Sequence, residues 1–167
     1  MTTLTLTSKP LTAEAFAPFG DVIEMGAGER LLINEGTAER FVDLAEIDVG
    51  AEGGRPALSL ARAQPRDLPM TIHMVERHPL GSQAFIPLGE KPFLVLVAAP
   101  DARIALADLQ AFKTVGRQGI NYRPGVWHHP LIALEEVSDF VVIDRGGEGE
   151  NCDEVHFNEA EQIVLTG

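Results

Sequence analysis

A single cysteine, Cys152, stands among the 167 residues, so no internal disulfide can form. That scarcity suits a reducing cytosol, and the expected location is cytoplasmic. Positive charge is scarce as well: 13 Lys and Arg against 25 Asp and Glu leave a net charge of −12, with no basic run anywhere. A nucleic-acid partner needs a basic footprint, so that class is set aside. Long hydrophobic runs are missing too. The most apolar stretch, Phe93 to Pro100, falls far short of the ~20 residues that span a bilayer. The start, Met1-Thr-Thr-Leu-Thr-Leu-Thr, has neither the charged beginning nor the apolar stretch of a signal peptide. A soluble protein with no membrane partner is expected. No repeat, low-complexity tract or linker divides the chain, which reads as one domain over 1–167.

What is present is an average globular composition, 45% hydrophobic and 23% charged. A domain of this size buries roughly 70% of its unfolded surface, so its core needs no covalent staples. The 16 Gly and 11 Pro are spread throughout and cut the chain into short apolar segments. Many short runs with frequent turn signals predict an all-β fold, a barrel of nine or ten strands with little helix. Leu4 and Leu6 alternate with threonines as a first strand, and Thr12 caps a short helix through Phe16. Asp21 to Glu24 and Leu31 to Asn34 read as strands. In Ala57 to Gln64, alternation sets Leu58, Leu60 and Arg62 on one core-like face. From Met70 to His78 the same period places Met70, Ile72, Met74, Glu76 and His78 together, with Thr71, His73, Val75 and Arg77 opposite. Phe93 to Ala99 is continuously apolar, as in a strand buried on both sides, although a helical turn produces the same run. Further strands are expected over Leu109–Thr114, Val126–Ala133 and Asp139–Ile143, a flexible loop over Gly146–Gly149 and a closing helix over Glu159–Leu165.

Two clusters carry possible chemistry. In the first, the apolar face ends in Glu76 and His78, two positions apart and pointing the same way, with Gln83 returning on the next extended segment. Two groups at i and i+2 on a strand can converge on one cation. In the second, the Pro124-Gly125 turn is followed by His128 at the start of a strand. Each residue alone has a plainer reading. A single strand histidine is more often a partly buried packing residue, Glu76 alone a surface carboxylate, and Gln83 an uncommon ligand. Of the adjacent His128 and His129, at most one faces a cavity. Tyr122, Trp127 and His129 read as packing or dimer-surface residues, Asp144-Arg145 as an internal ion pair, and Cys152 lacks the partners of a nucleophile.

The combination is similar to the cupin pattern. Glu76-x-His78, Gln83 and Gly89 resemble its first motif, and Pro124-Gly125-x-x-His128 its second. Glutamate replaces one usual histidine and glutamine the usual glutamate, which keeps oxygen ligands but shifts metal preference. A closer resemblance, to the ureidoglycolate lyase family, runs through nearly the whole chain. It is carried by Phe19-Gly-Asp-Val-Ile-Glu24, Ile33-Asn34 with Gly36, Glu39-Arg40, Arg62-Ala-Gln-Pro65, Leu68-Pro69 and His73. It continues through Glu76-Arg-His-Pro-Leu-Gly81, Gln83-Ala-Phe-Ile-Pro87, Gly119, Asn121-Tyr122 and Val126-Trp-His-His-Pro-Leu131. Asp139-Phe140, Ile143-Asp-Arg-Gly-Gly147 and Asn151-Cys-Asp153 complete it.

The resemblance implies a cupin-like, jelly-roll β-barrel with a few short helices, usually a homodimer, acting in allantoin and purine-nitrogen breakdown. Its expected reaction splits ureidoglycolate into glyoxylate and urea. A divalent metal, nickel by resemblance, is associated with the family, and a metal-free mechanism stays open. A metal would be held by Glu76, His78, Gln83 and His128 and would activate the substrate hydroxyl. Without one, His78 or His128 would act as base, with Glu76 balancing the imidazole charge. Arg62 is the first candidate for holding the substrate carboxylate, against a salt bridge at the barrel mouth. Arg40 is a weaker one, and Asn34 either donates to a substrate oxygen or satisfies a turn. Two other readings compete: a hydrolase releasing ammonia from the same substrate, and a non-catalytic cupin that binds a small carboxylic acid.

Overall fold

The structure, a computed structural model, describes residues 2–101, 103–158 and 160–167. Among these residues seventeen short strands follow one another: β1 (Thr2–Thr7), β2 (Lys9–Pro10), β3 (Gly20–Ile23), β4 (Glu29–Ile33), β5 (Ala38–Val42) and β6 (Arg55–Ala63). Then come β7 (Met70–Ile72), β8 (Met74–Arg77), β9 (Gln83–Pro87), β10 (Phe93–Ala98), β11 (Gln110–Lys113) and β12 (Gly119–Tyr122). The last are β13 (Trp127–His128), β14 (Ile132–Ala133), β15 (Ser138–Gly146), β16 (Asp153–His156) and β17 (Glu161–Thr166). One α-helical turn, α1 (Ala13–Phe16), is capped by Thr12, whose Oγ1 accepts from the Ala15 N–H at 3.1 Å.

The fold is all-β, with its sheets packed face to face in a jelly-roll-like arrangement. A five-stranded sheet runs β3-β12-β9-β15-β6, and a larger one runs β16-β8-β13-β10-β11-β2 with β14 on β10. Strand β10 explains how the layers hold together. Its continuous apolar run alternates faces, so Phe93, Val95 and Val97 join an inner core with Phe16, Ile120, Tyr122 and Phe140. Leu94, Leu96 and Ala98 turn outward to a second core with Ile72, Trp127, Ile163 and Leu165. The outer core is covered by the small sheet β1-β17-β7, so β10 is a strand buried on both sides and not a helical turn.

Four expectations are corrected. The segment expected as a helix from Glu159 is β-strand over Glu161–Thr166, pairing in parallel with β1; Glu159 itself lies outside the described residues. The Met70–His78 strand is interrupted at His73, and the interruption shifts the alternation, so Val75 packs in the same core as Ile72. The Leu58-Leu60-Arg62 face is not core-like. Leu58 and Leu60 are each 74% exposed, because β6 is a sheet edge and this face points away from the inner core. Asp144 and Arg145 form no ion pair: they alternate along β15, and each finds a different partner, described below.

Candidate functional site

The inner face of the larger sheet sets His128 of β13 directly opposite Glu76 of β8 in register. The inner face of the five-stranded sheet sets Tyr122 of β12 opposite Gln83 of β9. The two cross-strand pairs meet between the sheets, where the Tyr122 ring stacks on the His128 imidazole at 4.2 Å between centroids and 9° between planes. His78, two residues past Glu76, brings its ring to 5.1 Å from that of His128. Glu76, His78 and His128 thereby offer ligand atoms within 4.8 Å of one another.

Hydrogen bonds fix how these groups present themselves. His78 Nδ1 lies 2.8 Å from the Asn151 carbonyl, and His128 Nδ1 lies 3.0 Å from the Val126 carbonyl. A carbonyl only accepts, so each Nδ1 carries the proton and donates it. Each Nε2 is then turned toward Glu76 Oε1, at 3.8 Å from His78 and 3.5 Å from His128. Both Nε2 atoms are buried and have no hydrogen-bond partner among the described residues. Gln83 shows the same pattern: its Nε2 donates to Asp144 Oδ2 at 3.2 Å, and its Oε1 is buried without a partner. Buried polar atoms left unpaired are costly, and two imidazole nitrogens beside one carboxylate call for a positive group between them.

Either a proton or a cation meets that need. Two imidazole nitrogens and a carboxylate oxygen within reach of one another fit a divalent ion, with both imidazoles oriented by backbone carbonyls behind them. Interaction with His128, followed by the charges of His128 and His78, holds the Glu76 carboxyl below the usual carboxylate range against the effect of its partial burial. Burial above all, and then Glu76, pushes the Tyr122 hydroxyl up. At the outer side of the cluster, Cys152 Sγ lies 3.9 Å from Glu76 Oε2, and burial followed by the Glu76 charge raises the thiol.

Supporting residues surround the cluster. Asn151 holds His78 through its carbonyl and takes the Leu80 N–H on its side chain at 2.7 Å. Arg145 donates from Nε to the Ala51 carbonyl at 3.0 Å and from Nη2 to those of Glu52 (3.4 Å) and Glu148 (2.9 Å). It ties two loops together beside the pocket. Glycines make room for it, since a Cβ on Gly54 would come within 2.3 Å of Arg145 Nε, and one on Gly81 within 2.6 Å of Arg145 Cβ. Tyr122, read from sequence as packing, does pack, and what it packs on is His128. The roles of Asn151 and Arg145 depend on loop geometry; only their places in the quoted Asn151-Cys152 and Asp144-Arg145 segments marked them.

The structure does not bring all the expected residues together. His129 turns away, its Nδ1 on the Pro130 carbonyl at 2.7 Å, and burial lowers its imidazole's proton affinity. Trp127 belongs to the outer core. Arg62 lies on the open face of β6, where its Nε and Nη2 donate to Asp139 at 2.7 and 2.8 Å. Of its two readings, the salt bridge is the one seen, and no core-like face carries its guanidinium inward. Asn34 and Arg40 sit on an exposed hairpin formed by β4 and β5.

Known proteins match this chain along nearly its whole length. The sequence profile of the ureidoglycolate lyase family matches residues 3–164. A ureidoglycolate lyase of Burkholderia mallei (strain NCTC 10229) is 57% identical over 156 residues, 93% of this chain and 91% of that protein. One of Pseudomonas fluorescens (strain Pf0-1) is 51% identical over 162 residues, 96% of each chain. One of Pseudomonas putida (strain W619) is 48% identical over 161 residues, again 96% of each. With a family match across nearly its whole length and relatives above half identity, this chain belongs to the ureidoglycolate lyase family.

Proposed function

We propose that this protein is a lyase that cleaves ureidoglycolate to glyoxylate and urea at the pocket built by Glu76, His78, Gln83 and His128. The observation that carries the reading is the convergence of unpartnered His78 Nε2 and His128 Nε2 on the Glu76 carboxylate, with Gln83 Oε1 also buried and unpartnered. The substrate carbon bears a carboxylate, a hydroxyl and a ureido nitrogen. Cleavage breaks the hydroxyl O–H and the C–N bond, forms the aldehyde C=O, and puts a proton on the departing nitrogen. An imidazole Nε2 with its lone pair inward can accept the hydroxyl proton and return it to urea. Glu76 Oε1, facing both rings, stabilises the imidazolium in between. The fixed Nδ1–H bonds keep each ring in the tautomer this needs.

A divalent ion, nickel by family resemblance, would be held by Glu76, His78, Gln83 and His128 and would supply Lewis-acid lowering of the hydroxyl pKa. The donor chemistry supports such a site, and the proton-relay version needs no metal. The homodimer is part of the same reading. Leu58, Leu60 and Leu88 are 74%, 74% and 55% exposed, and a depression of about 280 Å³ beside Leu60, Arg62, Leu88 and Asp139 offers a second copy a seat. A cytoplasmic location accords with the free thiol of Cys152. No described helix is long and apolar enough to cross a membrane.

Product analysis on purified protein, with and without chelator, tests the reaction. Glyoxylate and urea in equal amounts without ammonia support it. Ammonia release would establish the hydrolase instead, and tight glyoxylate binding without turnover a non-catalytic carrier. Loss of activity on chelation, restored by added metal, selects the metal version.

A further inference from the structure

Two polar groups on the inner face of the five-stranded sheet take no part in the proton transfer. Tyr122 of β12 and Gln83 of β9 stand directly opposite in register, so their side chains are neighbours. Tyr122 is only 5% exposed, and its ring is stacked on the His128 imidazole at 4.2 Å. A phenol oxygen lies one bond beyond its ring, so the stack keeps this hydroxyl at the border of an imidazole that works on the substrate. No described residue hydrogen-bonds the hydroxyl; burial and then the charge of Glu76 act on it, and both keep it protonated. A buried tyrosine hydroxyl ordinarily has a partner. Gln83 is the complement. Its Nε2 donates to Asp144 Oδ2 at 3.2 Å, and because a carboxylate only accepts, the amide is fixed with its oxygen turned the other way. That oxygen, Oε1, is buried and has no partner among the described residues. One free donor and one free acceptor therefore stand side by side next to His128.

We propose that Tyr122 and Gln83 form the subsite that reads the ureido group of the substrate, the Tyr122 hydroxyl donating to its carbonyl oxygen and Gln83 Oε1 accepting from its amino group. Chemistry selects this end of the substrate over the other. A carboxylate has no proton to offer Gln83 Oε1, and the Asp144 charge behind the amide repels it. A ureido group carries an acceptor and a donor on one carbon, which is what this pair lacks. The hydroxyl and carboxylate of the substrate then lie toward the positive group between Glu76, His78 and His128. As the C–N bond breaks, charge on the departing nitrogen spreads to the ureido oxygen, where a donor fixed in advance stabilises it. The proposal rests on the lyase reading and turns Gln83 from the metal to the substrate. Glu76, His78 and His128 remain as ligand atoms within reach of one another.

Two inert analogues separate the ends of the site. Oxalurate has a keto group in place of the CH–OH, and oxamate is the same molecule without the terminal carbamoyl group. Oxalurate should inhibit the wild type at roughly tenfold or more lower concentration than oxamate, about the worth of two hydrogen bonds. In Tyr122→Phe and in Gln83→Leu that preference should shrink to about threefold or less, through weaker oxalurate with oxamate unchanged. Tyr122→Phe should also lower kcat about 10- to 100-fold, since the contact strengthens as charge develops. Its melting temperature should stay as in the wild type, because the lost oxygen has no partner among the described residues. Calorimetric nickel affinity should be the same in Gln83→Leu and the wild type. A wild type that does not prefer oxalurate, a full preference kept in Tyr122→Phe, equal loss of both inhibitors, or weakened nickel binding in Gln83→Leu overturns the proposal. The lyase reading then still stands if the wild type releases urea and Glu76→Gln does not. A wild type that releases no urea, or an unimpaired Glu76→Gln, sinks the lyase site and the ureido subsite with it.

Discussion

Two imidazole lone pairs cannot rest beside a carboxylate without a positive charge between them, and the chemistry at the residue scale follows from that. Glu76→Gln keeps the shape and removes the charge, so kcat should fall about 100-fold or more with the secondary structure kept, as steady-state kinetics and circular dichroism would show. His128→Ala is different: the ring is 1% exposed and stacked on Tyr122, so the variant should lose both activity and about 2 kcal/mol or more of stability. Acid should expose the role of Glu76 in metal-free protein. Its folded-state pKa is lowered, so its stabilising share is fully present above the usual carboxylate range and fades as pH falls through the lowered value. Melting curves of wild type and Glu76→Gln should therefore differ most near neutrality and converge toward strongly acidic pH. A gap that widens in acid would contradict this. Glu76, His78 and His128 were legible in the sequence because strand alternation and a turn followed by histidine are local signals. Asn151 was not, since a backbone carbonyl supporting a histidine 73 residues away leaves no local pattern.

Single elements set where those side chains point. The break at His73 lets Val75 serve the outer core while Glu76, next along the strand, faces the pocket. An uninterrupted strand would have put Val75 opposite Ile72, as the sequence pattern suggested. The terminal β17 read as a helix because its pairing with β1 joins residues about 160 positions apart, and such contacts are invisible to a local window. By contrast β10 was readable, since burial on both faces demands an unbroken apolar run. The loops around Asn151 depend on Arg145. Arg145→Lys cannot reproduce a fork that reaches three carbonyls, so hydrogen exchange over 51–53 and 147–151 should quicken and kcat/KM should drop about tenfold. Unchanged exchange would make the strut redundant.

At the scale of the whole molecule, β6 presents an apolar face that the described residues leave open. Leu58 and Leu60 alternate along β6 as half-buried strand residues do, and this misled the sequence reading of Arg62: the pattern is real, but no described residue covers this face. At a net charge of −12, two copies repel at long range, so in the proposed dimer an apolar contact would have to hold them together. Leu60→Asp should shift the mass measured by light scattering from dimer to monomer with the secondary structure kept, and a dimer unaffected by it would move the interface elsewhere. The most direct test of the central claim is a single comparison of wild type and Glu76→Gln supplied with ureidoglycolate, following glyoxylate, urea and ammonia together. Equal glyoxylate and urea from the wild type, with no ammonia and almost no product from the variant, is the predicted result; ammonia from the wild type, or undiminished urea from the variant, would contradict it.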